Sequence, residues 1–346
     1  MCLNIEYSNG IGSIQILQIK AHNTNAEQVQ LSKLVPLDSP QAILDEALAI
    51  VDLISPGFKT TRLASTFSRA ESLYQGTFPG YQACNTEYHD FNHVCGVFLA
   101  TARLLHGAGL ENNSFSGRQI VLALISALLH DSWYIQETHD TEGTGSKYTA
   151  NHVQRSMDFL SCHGESFGFS AKDITDSNAI MLCTDLSFDI STIAFSSERI
   201  ELLGKILGSA DLLAQMADRT YLEKLLFLYY EFKEAGFGDY QSELDLLRKA
   251  TGFYKSISQR LEKTLDATNR FMLSHFNSRW KIKADLYHEA IVRQMDYLKD
   301  ILKKQDTDPR FYLKRDGIVD KVRSKYQEED SYEEAAGLNL AQDNPN

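Results

Sequence analysis

The chain has 346 residues, of which 43% are hydrophobic and 23% charged, and its formal net charge is −12. These proportions are typical of a soluble globular protein, and the acidic excess argues against binding of polymeric nucleic acid, which needs a basic surface. We expect neither a membrane-spanning helix nor a signal peptide, because the sequence has no apolar run of about 18 residues and no basic start followed by an apolar stretch. Five scattered cysteines without CxxC spacing favour the cytoplasm.

Helical spacing of apolar residues begins after Asp38-Ser39-Pro40, a capping residue followed by proline, and continues through most of the chain. The segment before it is interpreted as an arm, which could hold a short hairpin around residues 11–16 or be irregular. An interruption is predicted at Gly208, because glycine costs about 1 kcal/mol inside a helix. The predicted helices lie near residues 60–74, 88–106, 118–131, 148–162, 172–184, 197–232, 241–275 and 279–304.

The predicted organisation is all-α and has four parts. The charged, aromatic-rich segments after Gly238 are expected to pack on the body as a helical hairpin or to form a homodimer contact, and the acidic tail is expected to be partly disordered. The parts are an N-terminal arm (1–37), a helical body (38–236), a C-terminal helical extension (237–305) and the tail (306–346).

The first chemical signal is Tyr88-His89-Asp90-Phe91-Asn92-His93. Histidines four residues apart lie on one face of a helix, so His89 and His93 are predicted to point into the same cavity. Alone, such a pair is more often a polar helix face than a metal site.

The second signal is the end of the wholly apolar segment 120–129, which is followed by His130-Asp131. An aspartate at a helix C-terminus is electrostatically unfavourable, and a bound cation would offset this, although a solvated helix end explains the pair equally well. Asp211, in an apolar helical context, is the third signal, and by itself it fits an ordinary amphipathic helix better. Together these residues offer imidazole and carboxylate ligands from three helices, which suits zinc, manganese, iron or nickel, whereas oxygen-rich positions suit magnesium.

The ordered set His93, His130-Asp131 and Asp211 resembles the H…HD…D signature of the HD superfamily of metal-dependent phosphohydrolases. The text around His89 is similar to the Y-H-N-x-x-H-A motif of class I cyclic-nucleotide phosphodiesterases, and the spacing of 37 residues between His93 and His130 is close to theirs. The pair Thr184-Asp185 is similar to their A-T-D-M segment. The resemblance covers about residues 85–235 and implies an HD-domain, phosphodiesterase-like helical bundle.

The resemblance also implies roles for individual residues. His93, His130, Asp131 and Asp211 would bind the first of two divalent metals (Zn, Mn, Mg, Fe or Ni), Asp131 would bridge to the second, and His89 would be the general acid. The reaction would be cleavage of a phosphoester of a nucleotide or cyclic nucleotide by metal-activated hydroxide.

The sequence departs from the phosphodiesterase pattern in two places. The run His130-Asp131-Ser132-Trp133-Tyr134 lacks the final histidine of H-D-x-x-H, and no glutamine-plus-aromatic segment that clamps a purine is present. A non-catalytic HD signalling or binding module and a di-iron HD oxygenase therefore stay open as alternatives. The candidates for support of the ligands or for a second metal are His139, His152 and Asp185.

Overall fold

The computed structural model describes residues 29–304 and 307–327, and within them the chain forms helices and turns. Extended pairing in these residues is limited to two isolated bridges, Gln75 with Ala83 and Tyr81 with Glu137. The all-α prediction is confirmed for this part of the chain. Among the described helices, none has the length and apolar character needed to cross a membrane. The hairpin predicted at residues 11–16 lies outside the described residues.

Twelve α-helices make up the described body, and several short 3-10 and π turns connect them. The helices are α1 (Pro40–Ile54), α2 (Thr61–Tyr74), α3 (Phe91–Leu110), α4 (Gly117–Leu129), α5 (His152–His163), α6 (Ala171–Met181), α7 (Glu198–Ala217), α8 (Tyr221–Ala235), α9 (Glu243–Gln259), α10 (Phe271–Trp280), α11 (Leu286–Leu302) and α12 (Ile318–Val322).

The centre of the fold is α4, in which every residue from 120 to 129 is buried. Ser116 and Gln119 form a capping box at its start, which satisfies backbone N–H groups that the helix leaves free. Helices α2, α3, α6 and α7 pack around α4, and α3 and α7 also pack along each other. Because these helices converge, the C-terminal end of α4 lies next to the N-terminal part of α3 and the middle of α7.

The helix predicted at 88–106 begins later than expected, at Phe91. Asp90 caps it, since the Asp90 carboxylate accepts a hydrogen bond of 2.8 Å from the backbone N–H of His93. His89 therefore precedes the helix, and the prediction that His89 and His93 share one helical face is wrong. Even so, their rings are close, with centroids 6.2 Å apart.

The interruption predicted at Gly208 is also wrong, since α7 runs through this position. A Cβ at Gly208 would lie 2.6 Å from the backbone oxygen of Cys183, so the missing side chain allows close packing that offsets the intrinsic helix cost of glycine. The actual break comes after Ala217, where the Asp218 carboxylate accepts a hydrogen bond from the backbone N–H of Thr220.

The C-terminal extension consists of α9, α10 and α11 rather than a two-helix hairpin. The chain turns between α9 and α10 at Asp266 and Ala267, which both have positive φ. The three helices pack on α8, α3 and α7 of the same chain, and dimerisation through them stays a prediction. Residues 307–327 of the segment assigned to the tail form short helices that bury Ile318, Val319 and Val322.

A buried histidine pair joins the extension to the body. The Nδ1 atoms of His106 on α3 and His275 on α10 are 3.1 Å apart, so one imidazole donates a hydrogen bond to the other. Both side chains are buried, and the hydrogen bond between them gives each one a polar partner away from solvent.

Candidate functional site

Four of the predicted ligand side chains meet at the convergence of α3, α4 and α7. Ligand atoms of His93, His130 and Asp131 all lie within 4.8 Å of one another, and all three residues are buried. The Nε2 atom of His93 is 3.3 Å from Asp131 Oδ2 and 3.2 Å from Asp211 Oδ1. His130 Nε2 is 3.4 Å and 3.6 Å from the same two oxygens.

The tautomer of His130 shows that this cluster suits a cation. His130 Nδ1 is 2.9 Å from the backbone oxygen of Ala127, so Nδ1 must carry the proton and donate it. His130 Nε2 then faces the carboxylates of Asp131 and Asp211, and this buried atom has no hydrogen-bond partner among the described residues. Burial lowers the pKa of His130, but the two carboxylates outweigh burial and raise it, so they favour a positive charge at Nε2. Metal-bound histidines commonly donate their other N–H to a backbone carbonyl in this way. The donor set therefore fits a divalent metal.

The pKa values of the histidines and aspartates in this cluster also indicate a site that favours a bound positive charge. Burial lowers the pKa of His93, but the carboxylates of Asp131 and Asp211 outweigh burial and raise this pKa to about 10. Burial raises the pKa values of Asp131 and Asp211, yet the neighbouring histidines hold both well below their usual range. Without a metal, a proton on His93 offsets part of the carboxylate charge, so a proton and a metal compete for one position.

Asp131 also faces a further histidine through its second oxygen. Asp131 Oδ1 is 3.9 Å from His152 Nε2, while His152 Nδ1 donates to the backbone oxygen of Thr149 at 2.8 Å. Burial lowers the pKa of His152, which favours the neutral form that binds metals. Because its two oxygens face different histidines, Asp131 has the arrangement of a carboxylate that can bridge two ions.

His89 lies beside the cluster and is held on two sides. Its Nδ1 atom is 2.7 Å from Glu231 Oε2 on α8, and its ring stacks on Tyr134 with centroids 4.1 Å apart and an interplanar angle of 6°. Tyr134 occupies the position of the final histidine in H-D-x-x-H. Glu231 is not among the residues predicted from the sequence, and its burial on α8 is visible only in the structure.

The remaining candidates have different positions. Asp185 lines the same cavity as His93, but its carboxylate accepts hydrogen bonds from the backbone and hydroxyl of Ser187, as in a surface turn. His139 is not brought to the site, because its side chain is 78% exposed and lies 3.2 Å from Glu137 on a loop. The proposed contribution of His139 to a second metal is therefore wrong.

The cluster opens into a cavity of about 390 Å³. One end holds His89, His93, Asp131, His152 and Asp211. The other end is formed mainly by apolar side chains of α8, α9 and the loop between them. The candidate metal ligands and a set of apolar side chains thus line one cavity, as in many small-molecule sites.

Comparison with known proteins gives one family match. Residues 138–292 match the model of the Npun_R2479-like family. The match covers less than half of the chain and includes His152, Asp211 and Glu231, but not His93 or His130. It also crosses the predicted boundary between body and extension. No curated protein matches the chain.

Proposed function

We propose that the chain is a metal-dependent phosphohydrolase of the HD superfamily, with a small phosphorylated molecule as its substrate. The observation that carries this proposal is the unpaired, buried Nε2 of His130, which faces the carboxylates of Asp131 and Asp211. A divalent ion held by His93, His130, Asp131 and Asp211 would supply the Lewis acidity that polarises a phosphoryl group and makes water a nucleophile at neutral pH.

The protein's own groups supply the proton transfer. In hydrolysis, a water oxygen forms a bond to phosphorus and the bond from phosphorus to the leaving oxygen breaks, so the leaving oxygen needs a proton. His89 lines the cavity beside the ligands, and its Nδ1–H donates to Glu231, which leaves Nε2 free to face the leaving oxygen. As an imidazolium, His89 would donate its Nε2 proton to that oxygen and become neutral. Glu231 and the stacked ring of Tyr134 fix the orientation of the imidazole.

The carboxylates that line the cavity also affect which ligand charges it can accept. With Asp131, Asp185 and Asp211 on its walls, the metal-free cavity repels a phosphate, and the phosphate charge would be balanced mainly by bound metal. A small phosphoester is thus compatible with a chain of net charge −12, whereas polymeric nucleic acid is not.

Release of p-nitrophenol from p-nitrophenyl phosphate and bis(p-nitrophenyl) phosphate tests the proposal. The protein reconstituted with Mn²⁺, Zn²⁺, Mg²⁺, Fe²⁺ or Ni²⁺ in turn should release p-nitrophenol with at least one metal, and His93→Ala should not. Activity that is equal in His93→Ala and in wild type would contradict the proposal.

His152 favours a second candidate, a di-iron HD oxygenase, because its imidazole faces the free oxygen of Asp131. This alternative calls for further histidines at the second ion, and His139 is excluded by its exposed position. Consumption of O₂ by the Fe²⁺-loaded protein, in the absence of phosphoester cleavage, would favour the oxygenase.

A further inference from the structure

The apolar end of the cavity has a composition that is informative about the substrate. It is contributed by α8, α9 and the loop between them, and the side chains that define it are Leu225, Leu228, Phe232, Phe237, Leu246 and Phe253. Leu225, Leu228 and Leu246 are buried, so this wall is part of the core rather than a surface depression.

The one amino group that the described lining residues contribute at this end, that of Lys249, is held by neighbouring residues. Lys249 Nζ donates hydrogen bonds to Asp245 Oδ2 at 2.8 Å and to the backbone oxygen of Asp239 at 2.6 Å. The Tyr240 ring packs against Phe232, with centroids 5.6 Å apart. Of the described residues that line the cavity, Gln215 alone carries a side-chain amide, and its oxygen accepts a hydrogen bond of 2.8 Å from the Tyr88 hydroxyl.

This lining is a poor match to a nucleotide. Selective binding of a base depends on side chains that hydrogen-bond its polar edge, and unpaired polar groups are costly to bury. The α8–α9 wall contributes no asparagine, glutamine or arginine among the described lining residues. An apolar group, in contrast, would gain from contact with the leucine and phenylalanine side chains.

Two large apolar side chains lie at the exposed rim of the cavity, beside the polar Ser187 and Lys249. Leu186 is 48% exposed and Phe237 is 45% exposed, and both line the cavity. Phe188, two residues from Leu186, is also exposed. The lining thus has apolar side chains both in its buried wall and at the solvent-exposed rim. This arrangement suits a ligand whose apolar part is long enough to reach the rim.

We propose that the substrate is a phosphoester of an apolar alcohol, with its phosphate at the His93–Asp131 end and its hydrocarbon part against the α8–α9 wall. The assignment rests on the phosphohydrolase function proposed above. It replaces the nucleotide implied by the sequence resemblance with an amphiphilic phosphate.

The test begins with binding of phosphonates, which cannot be hydrolysed at the C–P bond. Titration calorimetry of the metal-loaded protein should show that octylphosphonate binds about fiftyfold more tightly than ethylphosphonate, the ratio for about three buried methylene groups at about 0.8 kcal/mol each. Phe237→Ser should lower that ratio about tenfold. Phe311→Ser, a matched change at an exposed phenylalanine outside the cavity lining, should leave it unchanged.

The same protein is then assayed for phosphate release from octyl phosphate, ethyl phosphate and adenosine 5′-monophosphate, with octyl phosphate expected to have the highest kcat/KM. Equal binding of the two phosphonates, an unchanged ratio in Phe237→Ser, or preferred hydrolysis of the nucleotide would overturn the apolar substrate. Chain-length-dependent binding without hydrolysis of any phosphoester would instead overturn the phosphohydrolase activity and leave the ligand class standing.

Discussion

His89 Nδ1 donates a hydrogen bond to Glu231 Oε2 at 2.7 Å, across 142 positions of the chain. The other oxygen of Glu231 accepts hydrogen bonds from the backbone N–H groups of Glu87 and Tyr88, at 2.9 Å and 2.7 Å. One buried carboxylate on α8 therefore holds both the imidazole and the backbone that carries it. This relationship makes Glu231 a positioning residue for the proposed general acid.

Replacement of Glu231 by glutamine should lower kcat about 10–100-fold while the metal content stays the same. This range is typical for residues that hydrogen-bond to the side chains of a site and so orient them. The amide oxygen of glutamine can still accept from Glu87 and Tyr88, but the amide nitrogen cannot accept from His89. Steady-state kinetics and metal analysis measure the two effects. Glu234→Gln, one turn further along α8, is the matched control and should retain kcat. Loss of metal in Glu231→Gln would contradict the positioning role.

His89→Ala should retain the metals and lose about 10²–10⁴-fold in turnover, the usual contribution of general acid catalysis. The loss should be smaller for a substrate with a p-nitrophenolate leaving group, because that oxygen leaves without protonation. Comparison of kcat for p-nitrophenyl phosphate and an alkyl phosphate measures this difference. If the variant instead loses its metal, His89 is a ligand rather than the acid.

The buried histidine pair predicts a loss of stability in mild acid. Burial lowers the pKa values of His106 and His275 below 6.5, and the positive charge of Arg279 lowers both further. The folded protein thus binds fewer protons than the unfolded chain below about pH 6.5, so stability present above this pH is lost as the pH falls. The contribution of this pair to the free energy of unfolding should fall by about 1–2 kcal/mol between pH 7.5 and pH 5.5. The raised pKa of His93 acts in the opposite direction, so urea unfolding of wild type has to be compared with a variant of the pair.

His275→Gln should have a lower free energy of unfolding than wild type at pH 7.5. When the pH is lowered to 5.5, however, the free energy of unfolding of the variant should change by about 1 kcal/mol less in the destabilising direction than that of wild type. His288→Gln, which changes an exposed histidine on α11, should behave as wild type. Equal pH dependence in His275→Gln and wild type would show that the buried pair does not set the acid sensitivity.

Close packing of α3 against α10 predicts opposite effects for two nearby glycines. A Cβ at Gly107 would lie 1.8 Å from the backbone oxygen of Phe271, whereas a Cβ at Gly109 would meet nothing within 4 Å. Gly107→Ala should therefore lower the free energy of unfolding by about 2–3 kcal/mol, and Gly109→Ala should raise it by about 0.5–1 kcal/mol. Chemical denaturation of the two variants checks this, and equal stabilities would contradict the close approach of α3 to α10 at Gly107.

The parts of the site that could be predicted from sequence are those in which polar groups interrupt a strongly apolar pattern. His130 and Asp131 follow ten consecutive buried positions, and Asp211 lies among buried residues of α7. Burial with a metal was therefore one of the interpretations that the sequence left open, beside a solvated helix end for the pair and an amphipathic helix for Asp211. Their meeting point follows from the packing of α3, α4 and α7 around one core. Each of the three sequence signals was weak by itself, and the resemblance to the H…HD…D motif related them to one another.

Other features depended on tertiary contacts that a sequence pattern does not contain. Asp90 capping moved the start of α3, and contact with the Cys183 backbone made Gly208 favourable inside α7. Glu231 looks like an ordinary charged position on an amphipathic helix until the fold places it beside His89. Intrinsic helix preferences of about 1 kcal/mol or less are readily overridden by such contacts.

The central claim is that His93, His130, Asp131 and Asp211 hold a metal, and metal analysis of protein purified without chelator tests it most directly. We expect about one or two divalent transition-metal ions per chain in wild type and none in Asp131→Ala, together with a higher Tm for metal-loaded than for chelator-treated wild type. Wild-type protein that stays metal-free after incubation with each candidate ion, with an unchanged Tm, would contradict the account.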